Sequence, residues 1–160
     1  MLTMPINSTN SSRKIAASRP AAYLDREIEL VASAILAPDL IERAINICPP
    51  AAVSDYTCRT IYSTVAHLEA RGYGATLGRI AIHLEATGAR IDPDTLIEIT
   101  ESVPTGVHIC YFARLVSEAA TRRALAVRLA SLSMAAERGE PLDIVTASLA
   151  ALAQECGVAA

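Results

Sequence analysis

The sequence predicts an all-α protein, a compact head of short helices followed by a long helical hairpin, and three observations carry that prediction. Aromatic residues make up 4% of the chain, tryptophan is absent and alanines are everywhere, which suits closely packed helices better than sheets with aromatic and β-branched faces. Apolar residues recur at three- and four-residue spacing from Leu24 to about Cys156. Proline, glycine and capping residues interrupt that rhythm at short intervals up to Gly106, after which it runs unbroken for roughly thirty residues. At 160 residues and 52% hydrophobic content the chain has the size and the apolar material for one domain with a real core.

Residues 1–22 hold Arg13, Lys14 and Arg19 with no acid, among Asn7, Ser8, Thr9, Asn10, Ser11 and Ser12. Such a segment is too polar to fold alone and is expected to be a flexible tail. Its three charges would make only a weak, salt-sensitive contact with nucleic acid, so it is assigned no function.

The helical head spans residues 23–106. Leu24, Ile28, Val31, Ile35 and Leu36 define a first amphipathic helix closed by Pro38. Asp39 offers an N-cap for a short helix to Ile47, with Leu40, Ile41, Ala44 and Ile45 inward and Pro49 and Pro50 ending it. Ser54 is the expected cap of a third helix, whose Cys58, Ile61, Tyr62, Val65, Ala66 and Leu68 form the apolar stripe and whose other face carries Arg59, Ser63, His67 and Arg71. Gly72 ends it. Thr76 or a neighbour opens a fourth, with Leu77, Ile80, Ala81 and Leu84 inward and Gly88 after it. Asp92 followed by Pro93 is a cap-plus-first-turn signature for a fifth, reaching about Glu101.

The hairpin, residues 107–156, belongs to the same domain. Ile109 to about Arg138 contains neither proline nor glycine, and Phe112, Leu115, Val116, Ala119, Leu125, Leu129 and Leu132 are spaced helically along it. Gly139, Glu140 and Pro141 break the helix, and Asp143 is expected to cap a returning one with Ile144, Val145, Leu149, Leu152 and Ala153. Two helices with apolar residues spread around them cannot bury every face on each other, so a second copy of the chain is the expected partner surface and a homo-oligomer the expected state.

Several function classes are excluded or disfavoured by what is present. No G-x-x-x-x-G-K-[ST] run occurs, the one lysine is Lys14, and the glycines stand singly, so ATP hydrolysis by this chain alone is not expected. A net charge of -3 provides no global attraction to a phosphate backbone. Arg122 and Arg123, with Arg114 and Arg128, make the long helix its most basic stretch. Arg114, Glu118 and Arg122 stand at i, i+4 spacing and are better explained by pairing along the helix than by DNA contact. His67, His83 and His108 are expected on three different helices without H-x-x-x-H spacing, and Cys48, Cys58, Cys110 and Cys156 lack C-x-x-C spacing. Neither a metal site nor a redox motif follows, and no cofactor is called for. The carboxylate pairs Asp92 and Asp94, and Glu98 and Glu101, fit capping and solvation rather than acid–base work. No signal peptide and no long apolar run is written, so a cytoplasmic protein with no membrane partner is expected.

A resemblance to a known family adds to this reading. Glu27 to Leu36, EIELVASAIL, resembles the E-x-x-V-L-G-x-L/I-L opening of the N-terminal domain of DnaB, the replicative DNA helicase, with Ala32 and Ser33 where the family usually has Leu and Gly. Cys58 to Tyr62 is similar to its H-R-x-I-F/Y element, with cysteine in place of histidine, and Leu68 to Gly72 with Thr76 to Leu84 is similar to its L-x-x-x-G loop and next helix. The family's Pro-[IV]-D before that helix is absent at Tyr73, Gly74 and Ala75. Ser102 to Thr105 and Tyr111 to Glu118 are similar to its N-x-P-S and Y-A-x-[IL]-V-R-E words.

The resemblance implies a collar domain of a hexameric helicase, paired through hairpins into a trimer of dimers and helping to receive the primase DnaG or a helicase loader. Carried over, 109–138 and 143–154 would supply the dimer contact through Phe112, Leu115, Val116, Ala119, Leu125, Leu129, Leu132, Leu149 and Leu152. DNA would be met only indirectly, and the motor would lie in a parent chain. A free-standing adaptor from a phage or mobile element, binding a host helicase or primase, is the alternative expectation.

Overall fold

The computed structural model describes residues 21–155, and among these it is helical throughout, with no strand. Seven α-helices follow one another: α1 Ala21–Leu36, α2 Ile41–Ile47, α3 Tyr56–Ala70, α4 Leu77–Ala86, α5 Pro93–Glu101, α6 Ile109–Glu137 and α7 Leu142–Glu155. Single turns of 3-10 helix at Pro38–Leu40 and Pro50–Ala52 flank α2. Most of the expected polar tail, and Cys156, lie outside the described residues. The helix expected from Tyr23 lies within Ala21–Leu36.

The chain forms two compact units, one ending at Ala120 and one beginning at Thr121. In the first, α1 packs against α3 and α5, α3 also meets α2 and α4, and α4 meets α5. The core joins Leu30, Val31, Ile61, Tyr62, Val65, Ile80, Leu84 and Leu96, and it includes Ile109, Ala113 and Val116 from the first turns of α6. The head is therefore completed by residues that periodicity alone assigned to the hairpin.

α1 is more deeply enclosed than its sequence stripe implies. Every residue from Leu30 to Ile35 is buried. Small side chains at Ala32, Ser33 and Ala34 let neighbouring elements approach from all sides, and the closest approach is at Gly106. A Cβ built there would stand 2.6 Å from both the Ala37 Cβ and the Ser33 carbonyl oxygen. Only glycine lets the loop after α5 seat against the end of α1.

Capping follows local chemistry, with three corrections. Asp92 accepts a hydrogen bond from the Asp94 amide at 3.1 Å with Pro93 in the first turn, and Thr76 accepts from the Arg79 amide at 3.4 Å, as expected for α5 and α4. For α3 the cap is Asp55, which accepts from the Cys58 amide at 2.9 Å; Ser54 turns instead to Glu27. Asp39 lies within a 3-10 turn and α2 begins without a side-chain cap. Asp143 lies inside the first turn of α7, where its charge suits the helix dipole, while the Pro141 carbonyl accepts from the Ile144 amide at 3.0 Å. Gly72, Gly88 and Gly139 adopt positive φ just past the ends of α3, α4 and α6.

Candidate assembly surface

Apolar surface left over after each unit has folded is the raw material of any contact this chain makes. The head carries part of it: Leu36, Tyr56, Tyr73, Ile82, Ile97, Val107 and Tyr111 stand exposed around its core. Leu77, expected to face inward, is exposed in the first turn of α4. Ile82 is 68% exposed between two grooves. One of 690 Å³ is lined by Ala81, Glu85, Arg90, Ile91 and Pro93 among others, and one of 320 Å³ by Leu68, Tyr73, Arg79, His83 and Ala86.

Among the described residues, two of the three buried polar or charged residues of the head, Glu27 and Thr64, are held in structural hydrogen bonds. Glu27 is 1% exposed, and its carboxylate accepts from the Ser54 amide (2.9 Å), the Ser54 hydroxyl (2.6 Å) and the Asp55 amide (2.8 Å). A buried carboxylate with three donors ties α1 to the loop before α3. Burial, with the nearby Asp55 and Glu27 carboxylates, pushes the Cys58 thiol well above its usual range, so it is protonated and inert at neutral pH. Tyr62 is raised by burial and donates its hydroxyl to the Cys48 carbonyl at 3.2 Å. Ser33 Oγ is buried without a partner.

The hairpin from Thr121 onward is built differently. Among its described residues only Ala135 and Leu152 are buried. Of the residues expected at an interface, Leu129 and Leu149 are exposed, and Leu125 and Leu132 are half-buried. Phe112 and Leu115 are half-buried, and Val116 and Ala119 are buried; Val116 is part of the head core and Phe112 packs against that core. Sequence reasoning missed Val127, 70% exposed, Met134, Leu142, 77% exposed, and Ile144. A signal for three of them was present: Val127 and Met134 stand seven residues apart, as do Leu142 and Leu149, two turns along one helix face.

The charged candidates sit on the same helix. Arg122 is exposed and Arg123 half-buried, and neither lacks a partner within the chain. His67 and His83, expected on separate elements, come together with ring centroids 5.0 Å apart, while His108 precedes α6. No group of three or more metal-ligating side chains occurs among the described residues, and no described helix is long and apolar enough to cross a membrane.

Fold and surface together define an all-α protein of two compact helical units, the first of which is tied together by the buried Glu27 carboxylate. The family model of the DnaB-like helicase N-terminal domain matches residues 19–118. A crystal structure of the N-terminal domain of DnaB helicase from Mycobacterium tuberculosis superposes with a TM-score of 0.71 at 20% sequence identity, covering 82% of this chain and 96% of that one. No curated protein sequence matches the chain. The chain belongs to the DnaB-like helicase N-terminal domain family, and that membership supports a role in DNA replication. What is matched is the helicase's N-terminal domain and not its motor.

Proposed function

We propose that this chain is an assembly module of the replication machinery: a helicase collar domain that self-associates through its hairpin and offers the resulting collar to the primase DnaG or a helicase loader. Head and hairpin act as one module in the cytoplasm, without nucleotide chemistry in this chain, and the nucleic acid is handled by the motor of a parent or partner helicase. The observation that carries this reading is the hairpin's surface. Two helices present Val127, Leu129, Met134, Leu142, Ile144 and Leu149 to solvent, an apolar load that a lone hairpin does not shed and a second copy would cover.

Light scattering across a concentration series tests it. The unmodified chain should have the mass of a dimer or of a multiple of dimers, and Leu129→Glu should reduce it to a monomer. Leu129 is exposed within the chain, so the charge is tolerated by the fold and costly only at an interface. An unchanged mass in the variant removes the hairpin from the contact. A strict monomer at every concentration overturns self-assembly and leaves the free-standing adaptor, to be sought by binding to purified helicase and primase.

A further inference from the structure

Two of the chain's three histidines meet at the ends of adjacent helices: His67 in the last turn of α3 and His83 in the last turn of α4. Their ring centroids are 5.0 Å apart and their planes inclined by 32°. We propose that His67 and His83 form a two-imidazole clip for a divalent late transition-metal ion such as Zn²⁺, bridging α3 and α4 on the surface of the head.

The spacing fits one ion between two ring nitrogens. With a metal–nitrogen distance of about 2.1 Å, each ring centroid lies roughly 3.1 Å from the metal, and a tetrahedral bite then separates the centroids by about 5 Å. Inclined planes are compatible with this, because each ring turns freely about its own metal–nitrogen axis. Among the described residues neither imidazole has a hydrogen-bond partner for its ring nitrogens, so the lone pairs are not committed elsewhere. His67 is exposed and His83 half-buried, which leaves the pair open to an ion from solvent.

The backbone under the clip is held on both sides. α3 and α4 pack together. The loop between them is closed by the Tyr73 amide donating to the Leu68 carbonyl at 3.0 Å and by the Ala75 amide donating to the Glu69 carboxylate. After α4, both the amide and the hydroxyl of Thr87 donate to the His83 carbonyl at 3.0 Å. Arg79, which lines the same groove as His83, directs its guanidinium to the Gly74 carbonyl at 3.4 Å. With two protein ligands, water completes the coordination, so the site is open and exchangeable and favours late first-row ions over Mg²⁺ or Ca²⁺, which prefer oxygen.

Imidazole-resolved ¹⁵N NMR of the full chain, titrated with Zn²⁺ alone, tests the clip independently of oligomeric state. The ring signals of His67 and His83 should move together and saturate at one ion per chain while those of His108 stay in place. His83→Gln should abolish the response of His67. Circular dichroism verifies that the variant retains its helicity, and His67→Gln provides the reciprocal measurement on His83. The proposal is overturned if the two rings do not respond, if His108 responds equally, or if His67 responds unchanged in the His83→Gln chain.

Discussion

The head and the hairpin use similar apolar content in opposite ways. In the head, α1 is enclosed from Leu30 to Ile35, its one buried carboxylate has three donors, and a glycine is spent to bring a loop against its end. In the hairpin beyond Thr121, Ala135 and Leu152 alone are buried among the described residues, and leucine, valine, isoleucine and methionine side chains stand in solvent. One region has built a core and leaves only part of its apolar side chains, Ile82 and Val107 among them, at the surface. The other retains its apolar side chains as surface, which shows that a helix's apolar content does not reveal whether it stabilises its own chain or awaits another.

The contrast can be broken most directly by truncating one large apolar residue in each region. Ile61→Ala, in the middle of the head core, should destabilise the chain by about 4 kcal/mol in chemical denaturation. Leu149→Ala should change stability by less than about 0.5 kcal/mol at high dilution, where no partner covers it. Equal losses at high dilution would show that the hairpin is stabilised within the chain much as the head is. A loss at Leu149 that grows with protein concentration would sharpen the contrast, since only association makes that side chain count.

Glu27→Gln tests whether polar burial in the head is structural. It replaces a charged acceptor of three hydrogen bonds by an amide whose NH₂ cannot accept, and it should cost about 2–3 kcal/mol in the same measurement. No loss would mean that the loop before α3 does not depend on α1. Gly106→Ala should cost about 1–2 kcal/mol, because its methyl would meet the Ala37 side chain and the Ser33 backbone, neither of which is a flexible side-chain end. The smallest effect runs the other way: Ser33→Ala removes a buried hydroxyl without a partner and should raise stability by about 0.5–1 kcal/mol, read as a higher thermal midpoint.

Much of the head was legible residue by residue. Pro93 behind Asp92, and Gly72 and Gly88 past their helices, marked boundaries that the structure keeps, since caps and stops act over three or four residues and are written locally. The cap of α3 was read one residue early. Ser54 and Asp55 are both good caps, and what separates them is Glu27, twenty-seven residues upstream of Ser54. The proposed surface was legible as an apolar excess, but not in which residues compose it. Val116 has the same spacing as Leu129, yet it lies in the head core while Leu129 is exposed.

By itself the sequence determined the helical class, the order of the helices and the places where each one stops, because helix periodicity, capping and glycine or proline breaks are set by neighbours within a turn or two. It also contained the words by which the family is recognised. Only the tertiary structure decided that α1 would be enclosed from Leu30 to Ile35, that the first turns of α6 would close the head, and that His67 and His83 would meet. Those outcomes depend on which helix faces which. Packing between residues far apart in the chain settles that, and a pattern repeating every three or four residues carries no record of it.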